Sequence, residues 1–333
     1  MTHKLTVHVR EIIEEAIAES FGVEVGLEEE IDPAVMASFV DALAAQVQNK
    51  LAATMQSPDG NNGHHPRNRL NELTGPEWLW FTKSVLRTKY PSILGHNLRR
   101  KQGGNKPPQL MQELIEFFTK PGDLVLDPFG GAGGTALGAH LAGRRSISIE
   151  INPGSIDLYQ AVCEQESIAP HAFIQGDCRA VLPRLDEAHF DFIATDPPYS
   201  PELEKTMSFS LARKRYGHAN RKSDYVTYSD DPRDLSKCGS FEAFFAALDE
   251  VGGELLRVLK PDHYLALILR DAYQGGEYIH TSAIVAQHYR QLGWTFKGEK
   301  IWYSTGSRIR PYGYPSAYVP NIIHQNILIF RKE

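Results

Sequence analysis

Hydrophobic residues recur with two different periods along this chain, and the change between them divides it. In residues 8–55 they return every three to four positions, which predicts helices. The stretch 57–68, SPDGNNGHHPRN, is dense in Gly, Asn, Pro and His and therefore predicts a linker or loop. The helical segment is interpreted either as a packing appendage or as a hairpin that forms a homodimer. The predicted units are a helical N-terminal extension at 1–56, a linker at 57–70 and a main domain at 71–333.

In the main domain, short apolar runs alternate with stretches of helical periodicity. The predicted helices are 75–90, 109–120, 134–143, 153–167, 241–259 and 279–293. The predicted strands are 123–127, 145–150, 171–177, 190–196, 263–270, 295–304 and 322–332. This alternation indicates an α/β fold in which helices cover both faces of a mostly parallel sheet. No helix separates the last two strands, so we expect an antiparallel pair at the end of the sheet. Trp78 and Trp80, in the first helix, are expected in the core.

Composition limits the classes of protein to consider. The 333 residues are 42% hydrophobic, which is enough for one large domain with an appendage. The net charge of −6 gives no global basic signature, so contacts with nucleic acid would use local patches. The three cysteines show no CxxC spacing and suggest neither a disulfide framework nor a zinc site. We expect a soluble cytoplasmic protein, because no apolar run spans a bilayer and no signal-peptide profile is present.

A glycine-rich loop follows the first strand of the alternating region, in 123-DLVLDPFGGAGGTALGAH-140. Glycines let the backbone approach a ligand closely, and the start of the next helix offers free N–H groups. The loop does not match G-x-G-x-x-G cleanly, and it is not a P-loop because no Gly-Lys-Ser/Thr follows. Instead Asp127 ends the strand. An acid there disfavours a pyrophosphate and favours a ligand with an ammonium group or another positive centre.

Two further acids end the next two predicted strands. Glu150 lies about twenty residues after the loop, where an acid can accept both hydroxyls of a ribose. Asp177 ends the third strand and can accept a hydrogen bond from the amino group of an adenine. Each acid alone could be a helix cap. Three of them along the carboxyl edge of a sheet, behind a glycine loop, indicate a site for a nucleoside cofactor.

The stretch 192-FIATDPPYS-200 runs from a buried strand into an acid, two prolines and a tyrosine. Proline fixes its φ angle and donates no backbone hydrogen bond. The residue before a proline is also pushed towards an extended conformation. The sequence therefore predicts a stiff corner at the end of a strand, which carries a carboxylate, free carbonyl oxygens and an aromatic ring.

Together these segments resemble the S-adenosylmethionine-dependent DNA amino-methyltransferases, which modify adenine N6 or cytosine N4. The resemblance rests on residues 105–135, 147–152, 196–199, 255–262, 293–294 and 319–332. In many members with similar end segments the catalytic motif comes first. Here the cofactor segment leads, so the chain resembles a circularly permuted arrangement. The resemblance implies a Rossmann-like class I methyltransferase fold with a seven-stranded sheet, and S-adenosyl-L-methionine as the cofactor.

The resemblance also implies roles for single residues and requires no metal. Asp196 and the carbonyl of Pro197 would hold the target amine, with the carboxylate meeting the positive charge that develops on nitrogen. Tyr199 would stack on the base, which must be flipped out of a duplex to reach it. The implied catalytic residues are Asp196, Pro197, Pro198 and Tyr199. The implied cofactor-binding residues are Lys106, Pro107, Asp127, Pro128, Phe129, Gly130, Gly131, Gly133, Thr135, Glu150, Asn152, Asp177 and Cys178.

Basic residues after the catalytic corner suggest where nucleic acid binds. The insert 200–237 is interpreted as a target-recognition loop, and 303–320 as a further wall of the binding surface. Arg99, with its two basic neighbours, is expected to form another exposed patch. The predicted nucleic-acid-binding residues are Arg213, Lys214, Arg215, Arg221, Lys222, Arg308 and Arg310. DNA is the favoured partner, with adenine N6 as the target, as in a restriction-modification enzyme. The alternatives are cytosine N4 in DNA, and guanine N2 or adenine N6 in tRNA or rRNA.

Overall fold

The computed structural model describes residues 65–99, 105–199, 228–305, 307 and 309–333. The chain divides into two units, residues 1–63 and 64–333, and the described residues all belong to the second. The predicted N-terminal extension, with its possible role in dimerisation, and most of the predicted recognition loop lie outside the described residues. No helix among the described residues combines the length and the apolar character needed to cross a membrane.

Strands and helices alternate along the described part of the chain. The strands are β1 Val85–Thr88, β2 Leu124–Asp127, β3 Arg145–Glu150, β4 Ala172–Gln175, β5 Phe190–Thr195, β6 Leu259–Leu269, β7 Ala272–Gln274, β8 Glu277–Ile279, β9 Thr295–Ser304 and β10 His324–Arg331. The α-helices are α1 Gly75–Phe81, α2 His96–Arg99, α3 Pro108–Phe118, α4 Gly134–Leu141, α5 Pro153–Glu166, α6 Cys178–Val181, α7 Phe241–Val258 and α8 Thr281–Gln291. Single 3₁₀ turns lie at Leu182–Arg184 and Leu235–Lys237.

The main sheet has eight strands in the order β1-β9-β10-β6-β5-β2-β3-β4. Strand β10 runs antiparallel to both of its neighbours, and the other pairs are parallel. The predicted fold class, a Rossmann-like and mostly parallel sheet with an antiparallel pair, is confirmed. From β2 the chain moves outward to β3 and β4, and β5 then returns to the other side of β2. This reversal leaves a crevice at the carboxyl ends of β2 and β5, where open α/β sheets bind ligands.

Both faces of the central strands are buried, which explains their continuous apolar runs. Successive residues of a strand point to opposite faces. Accordingly Val125 and Phe192 pack in a core with α3, whereas Leu126 and Ile193 pack in a second core with α7 and α8. The alternation of side chains along each strand is therefore fixed by packing on both faces of the sheet. It determines which residue stands at the carboxyl end of each strand, and hence at the crevice.

The predicted helix at 75–90 is wrong in its second half. Thr74 caps α1, with its hydroxyl accepting from the Glu77 N–H and the Glu77 carboxylate accepting from the Thr74 N–H. The helix ends at Phe81, and Val85–Thr88 then pairs with β9 in parallel, which adds an eighth strand to the predicted seven. Backbone pairing at the open edge of β9 outweighs the helical spacing of the apolar side chains. The predicted antiparallel pair β9–β10 consequently lies inside the sheet rather than at its end.

The expectation that Trp78 and Trp80 lie in the core is also wrong. Trp78 is 36% exposed and Trp80 is 66% exposed. Trp78 rests against the ring of Phe117, with 4.8 Å between the ring centroids. The Lys83 ammonium lies 3.5 Å from the ring centroid of Trp80. Since α1 is short and covers only the end of α3, it does not bury both indoles.

The segment between β6 and α8 differs from the predicted pattern as well. Strand β6 begins at Leu259, directly after α7, rather than at residue 263. The short hairpin β7–β8 occupies residues that were not assigned or were counted as the start of the next helix. Buried Asp271 holds this region, because its carboxylate accepts from the N–H and hydroxyl of Ser282 and from the Tyr278 hydroxyl. The hairpin therefore projects from the carboxyl edge of the sheet, beside the crevice.

Candidate active site

A single cleft joins the predicted cofactor loop to the predicted catalytic corner. It encloses about 890 Å³, including its open mouth, at the carboxyl ends of β2, β3, β4 and β5. Most of the predicted site residues line it together: Lys106, Asp127, Pro128, Phe129, Gly130, Gly131, Thr135, Glu150, Asp177, Cys178, Asp196, Pro197 and Pro198. The spatial arrangement that the sequence suggested, with the acidic corner beside the glycine loop, is therefore present.

Two positions of the loop require glycine for different structural reasons. Gly133 has φ of +81°, and a Cβ at this position would lie 2.2 Å from the ring of Tyr159. It is a packing residue behind the cleft. Gly131 has φ of +49°, and a Cβ there would meet no atom within 4 Å. Its N–H donates to Glu150 Oε2 at 2.6 Å, so Gly131 connects the loop to the end of β3 while leaving space on the cleft side.

Asp127 ties the cofactor loop to the catalytic strand. Its Oδ1 accepts from the Thr195 hydroxyl at 2.6 Å and from the Phe129 N–H at 3.0 Å. Its Oδ2 accepts from the Thr135 hydroxyl at 2.5 Å. Burial raises the pKa of Asp127 to about 6, and these hydrogen bonds oppose the rise. Since Thr195 immediately precedes Asp196, this network fixes the position of the corner relative to the loop.

Glu150 presents a carboxylate to the cleft from the end of β3. Its Oε2 accepts from Gly131 as described, and its Oε1 accepts from the Asn152 N–H at 2.7 Å. Each carboxylate oxygen has two lone pairs, so both can still accept a hydroxyl from a ligand. Burial raises the pKa of Glu150 to about 7. Its charge is therefore the most sensitive to pH in the neutral range among the carboxylates with a stated value in the cleft.

Asp177 is more fully engaged than the sequence suggests. Its side chain caps α6 by accepting from the Arg179 N–H. The Arg179 guanidinium also binds it through two contacts, of 3.1 Å to Oδ1 and 2.9 Å to Oδ2. The same guanidinium donates to the carbonyl of Arg233 at 2.8 Å. Asp177 therefore connects the end of β4 to the segment around Arg233, which also lines the cleft.

Asp196 holds a buried cation. The Lys106 ammonium, 5% exposed, lies 2.5 Å from Asp196 Oδ2. The Tyr199 hydroxyl donates to Asp196 Oδ1 at 2.6 Å and also contacts the Lys106 ammonium. Burial raises the pKa of Asp196 and lowers the pKa of Lys106, and the attraction between the two groups opposes both shifts. The corner is thus built to receive a positively charged nitrogen that carries N–H groups.

Some predicted residues lie away from the cleft or outside the description. Pro107 precedes α3 and lines a smaller neighbouring cavity. Asn152 caps α5 and donates to the carbonyl of Tyr228, and Gly133 packs against Tyr159 as stated above. Arg310 is exposed after β9. The remaining predicted nucleic-acid-binding residues lie outside the described residues: Arg213, Lys214, Arg215, Arg221, Lys222 and Arg308.

The expected exposed patch at Arg99 is wrong for that residue. Arg99 is 3% exposed and donates from Nη2 to the carbonyl of Lys106 at 2.5 Å. It supports the chain immediately before α3 and the placement of Lys106, so it does not offer its charge to nucleic acid. The run of basic residues that contains Arg99 gives no sign in the sequence that its side chain is buried.

Sequence reasoning missed one wall of the cleft. The missed lining residues are Asn105, Gly134, Ile149, Ile151, Gly176, Tyr228, Arg233, Asp234 and Leu235. Four of them, Tyr228, Arg233, Asp234 and Leu235, belong to the end of the predicted recognition loop 200–237, so this end of the predicted loop lines the cofactor cleft. Asp234 caps the 3₁₀ turn there through the Ser236 N–H. The three aspartates of 229-SDDPRDLS-236 could have predicted an ordered, capped turn. They do not indicate that the turn lines the cofactor cleft.

Comparison with known proteins supports the resemblance to nucleic-acid methyltransferases that the sequence motifs suggested. A family described as DNA methylase matches residues 42–161, and one described as RNA cap guanine-N2 methyltransferase matches residues 122–223. YubD of Escherichia coli (strain K12) is 44% identical over 63 residues, 18% of this chain and 28% of YubD. The resemblance to the DNA amino-methyltransferases is confirmed. The prediction of S-adenosylmethionine as the cofactor is confirmed with it.

Two further relatives are methyltransferases by their names, and one of the two names specifies tRNA. The type II methyltransferase M.MthZI of Methanothermobacter thermautotrophicus is 40% identical over 68 residues, 20% of this chain and 19% of the relative. A tRNA (guanine(10)-N2)-dimethyltransferase of the same species (strain Delta H) is 34% identical over 97 residues, 29% of this chain and 28% of the relative. The chain thus spans less than a third of the length of these relatives.

The cleft fits S-adenosylmethionine by its donor set and shape. Gly131 leaves open space beside the loop, Glu150 offers acceptors for two ribose hydroxyls, and Phe129, Ile149 and Leu235 give apolar walls for a base. When bound, S-adenosylmethionine supplies an electrophilic methyl group. The residues that would hold it are those of the loop, Glu150 and the Asp177 region, while Asp196 stands at the neighbouring end of the cleft.

The pKa of Glu150 predicts a pH dependence of cofactor binding. Hydroxyls donate to the ionised carboxylate, so affinity is expected to be full above pH 7 and to fall by about tenfold between pH 8 and pH 6. Calorimetry with the unsubstituted protein and with Glu150→Gln measures this. The ratio of the two affinities removes any titration of the cofactor itself, and the variant should bind weakly at pH 8.

Glu166→Gln provides the matched control for this measurement. Glu166 also accepts a backbone N–H, from Gly95 at 2.9 Å, but it does not line the cleft. Its substitution should leave cofactor affinity and its pH dependence unchanged. If Glu150→Gln binds cofactor as tightly as Glu166→Gln at pH 8, Glu150 does not hold the ribose.

Proposed function

We propose that this protein transfers a methyl group from S-adenosylmethionine to an exocyclic amine of a nucleobase, with adenine N6 in DNA as the favoured target. The match to the DNA methylase family and the position of Asp196 beside the cofactor cleft support this reaction. The preference for adenine rests on the resemblance, since an aspartate at the start of the D-P-P-Y corner is typical of adenine enzymes.

One observation carries the proposal, namely the 2.5 Å contact between Asp196 and the ammonium of Lys106. An exocyclic amine is a poor nucleophile, because its lone pair is delocalised into the ring. It becomes positively charged as it bonds to carbon. A buried carboxylate that binds an ammonium group can stabilise this charge where it develops, without reorganisation of solvent.

Each residue of the corner has a defined task in this reaction. Asp196 accepts one N–H of the amine and takes the proton that the nitrogen releases. The carbonyl of Pro197 accepts the second N–H, and the two prolines keep the corner rigid. Tyr199, whose hydroxyl contacts Asp196 in this structure, exchanges that contact for stacking on the target base. The base of a duplex substrate must leave the helix to reach this corner.

A second candidate is methylation of RNA, at guanine N2 or adenine N6. The match of residues 122–223 to the RNA cap guanine-N2 methyltransferase family and the tRNA-modifying relative favour it. Cytosine N4 in DNA is the alternative within the DNA class. All of these targets present an exocyclic amine, so the same corner serves each of them.

The test is to express the chain in a host that lacks DNA methylation and to map modified bases by long-read sequencing. RNA from the same cells is analysed by mass spectrometry. A strain that expresses Asp196→Asn serves as the control. New N6-methyladenine in DNA supports the favoured target, and a new methylated base in RNA alone supports the second candidate. If neither nucleic acid gains a methyl group that depends on Asp196, the proposed function is wrong.

A further inference from the structure

Exposed aromatic side chains gather at the carboxyl edge of the sheet. The large hydrophobic side chains that are exposed among the described residues fall into two groups. One group belongs to α1 and β1. The other comprises Tyr278 on β8 with Ile309, Tyr314 and Tyr318 in the segment between β9 and β10. Strand β9 is parallel to β6 through their common antiparallel neighbour β10, so this segment emerges on the same edge as Asp196. Exposed apolar patches of this kind mark sites of interaction.

Arg270 stands at the centre of this edge. It directly follows β6, which pairs with β5 in parallel with Thr195 opposite Leu267. Asp196 is therefore one residue beyond this pair and Arg270 is three residues beyond it on the adjacent strand. At roughly 3.3 Å per residue, Arg270 rises above the catalytic corner by about two residues. This height places Arg270 above the catalytic end of the cleft. The backbone of a nucleic-acid strand would pass there while its target base enters the cleft.

The Arg270 charge is oriented but not neutralised. Its Nη2 donates to the carbonyl of Ile322, which anchors the guanidinium to the segment after β9. Within the described ranges no carboxylate forms an ion pair with Arg270, which is exposed. The neighbouring Asp271 is buried and bound to Ser282 and Tyr278 instead. A guanidinium has five N–H donors, so most of them are available to a ligand.

Arg270 lies close to Tyr278, because the Tyr278 hydroxyl donates at 2.8 Å to Asp271, the next residue in the chain. Burial raises the pKa values of Tyr199 and Tyr228, and the Arg270 charge opposes both rises. Burial also raises the pKa of Tyr278, and there too the Arg270 charge opposes the rise whereas Tyr318 adds to it. Tyr318 is 86% exposed, so its ring is presented to solvent.

We propose that Arg270 and Tyr318 form a subsite for the nucleotide next to the target, with Arg270 on its phosphate and Tyr318 against its base. The inference rests on the proposed function. A guanidinium is suited to a phosphate because it offers several donors in one plane. An aromatic ring stacks on any base and therefore holds an unpaired strand without selecting its sequence.

The experiment measures binding of fluorescent oligonucleotides, DNA and RNA of one sequence, by anisotropy at several salt concentrations. Arg270→Gln should weaken binding and lower the slope of log affinity against log salt by about one. Arg270→Lys keeps the charge and should retain the slope. Tyr318→Ala should weaken binding by about tenfold and leave the slope unchanged, since stacking releases no counterions.

Arg145→Gln is the matched control. Arg145 is also exposed and also donates from Nη2 to a backbone carbonyl, that of Gly122 at 3.2 Å, but it begins β3 at the opposite edge of the sheet. Its substitution should change neither affinity nor slope. Cofactor affinity, measured for every variant, shows that the cleft is intact, and Tyr318→Ala tests the subsite even if Arg270→Gln does not fold.

The outcomes separate this inference from the proposed function. If the unsubstituted protein methylates nucleic acid but Arg270→Gln and Tyr318→Ala bind oligonucleotides as Arg145→Gln does, the subsite is wrong and the proposed function stands. If the unsubstituted protein neither binds nor methylates DNA or RNA, the proposed function fails and the subsite with it.

Discussion

Replacing Asp196 with asparagine is expected to lower the rate of methyl transfer by at least about 100-fold. The amide has nearly the shape of the carboxylate but carries no charge, so it cannot stabilise a positive nitrogen or take its proton. Its NH₂ group would also meet the Lys106 ammonium, which now lies 2.5 Å from the carboxylate. The measurement is transfer of a labelled methyl group in a single turnover, with DNA or RNA from the methylation-free host as substrate.

Cofactor affinity separates a loss of chemistry from a loss of the cleft. The glycine loop and Glu150 remain intact in Asp196→Asn, so its affinity for S-adenosylmethionine should change little. Asp191→Asn is the control on the same strand. Asp191 lies at the other end of β5, where it accepts from the Leu124 N–H at 2.9 Å and pairs with Lys260. This substitution should reduce stability but retain transfer. Equal transfer rates in the two variants would remove Asp196 from the mechanism.

The sequence predicted the acids at the strand ends well, for a physical reason. The strands β2 and β5 are buried on both faces, so their apolar runs are short, dense and easy to delimit, and β3 alternates serine and isoleucine up to Glu150. The residue after such a run lies at the carboxyl edge of a parallel sheet, and Asp127, Glu150 and Asp196 meet there in one cleft. Their partners within the cleft follow from spatial proximity and could not be predicted in this way.

The errors lie where a residue's position depends on contacts outside its own helix or strand. Val85–Thr88 forms a strand because the edge of β9, more than two hundred residues later, offers it hydrogen bonds. Arg99 is buried because the carbonyl of Lys106 and the start of α4 surround its guanidinium. Neither partner can be read from local periodicity or local charge.

Lys106 was predicted to bind the cofactor, and its contact with Asp196 suggests an additional task. The two groups are ninety residues apart and form an ion pair in which Lys106 is 5% exposed and Asp196 is 17% exposed. Burial raises the pKa of Asp196, and the Lys106 charge is the largest effect that opposes the rise. We infer that Lys106 is a positioning residue that keeps Asp196 ionised until the target amine arrives.

Lys106→Met is therefore expected to move the acid limb of the pH–rate profile to higher pH. Without the ammonium, burial acts on Asp196 with less opposition, so its pKa rises further and a smaller fraction of it is ionised at a given pH. Once the raised pKa lies above the assay pH, each further unit of the shift should lower the rate by about tenfold. The rate should recover as the pH rises, because Asp196 then ionises in the variant too. The profile of single-turnover rates between pH 6 and pH 9 measures this.

Two comparisons distinguish this role from simple packing. Lys106→Arg keeps a positive charge beside Asp196 and should retain the position of the acid limb, even if its different shape lowers the rate at every pH. Breaking a buried ion pair typically costs about 3–5 kcal/mol of stability. In Lys106→Met protonation of Asp196 relieves that cost, because a group whose pKa is raised by folding stabilises the folded state most at low pH. The variant should therefore lose less stability at the acid end of the pH range than at the alkaline end. A loss of rate that is the same at every pH would show that Lys106 supports the cleft only by its shape.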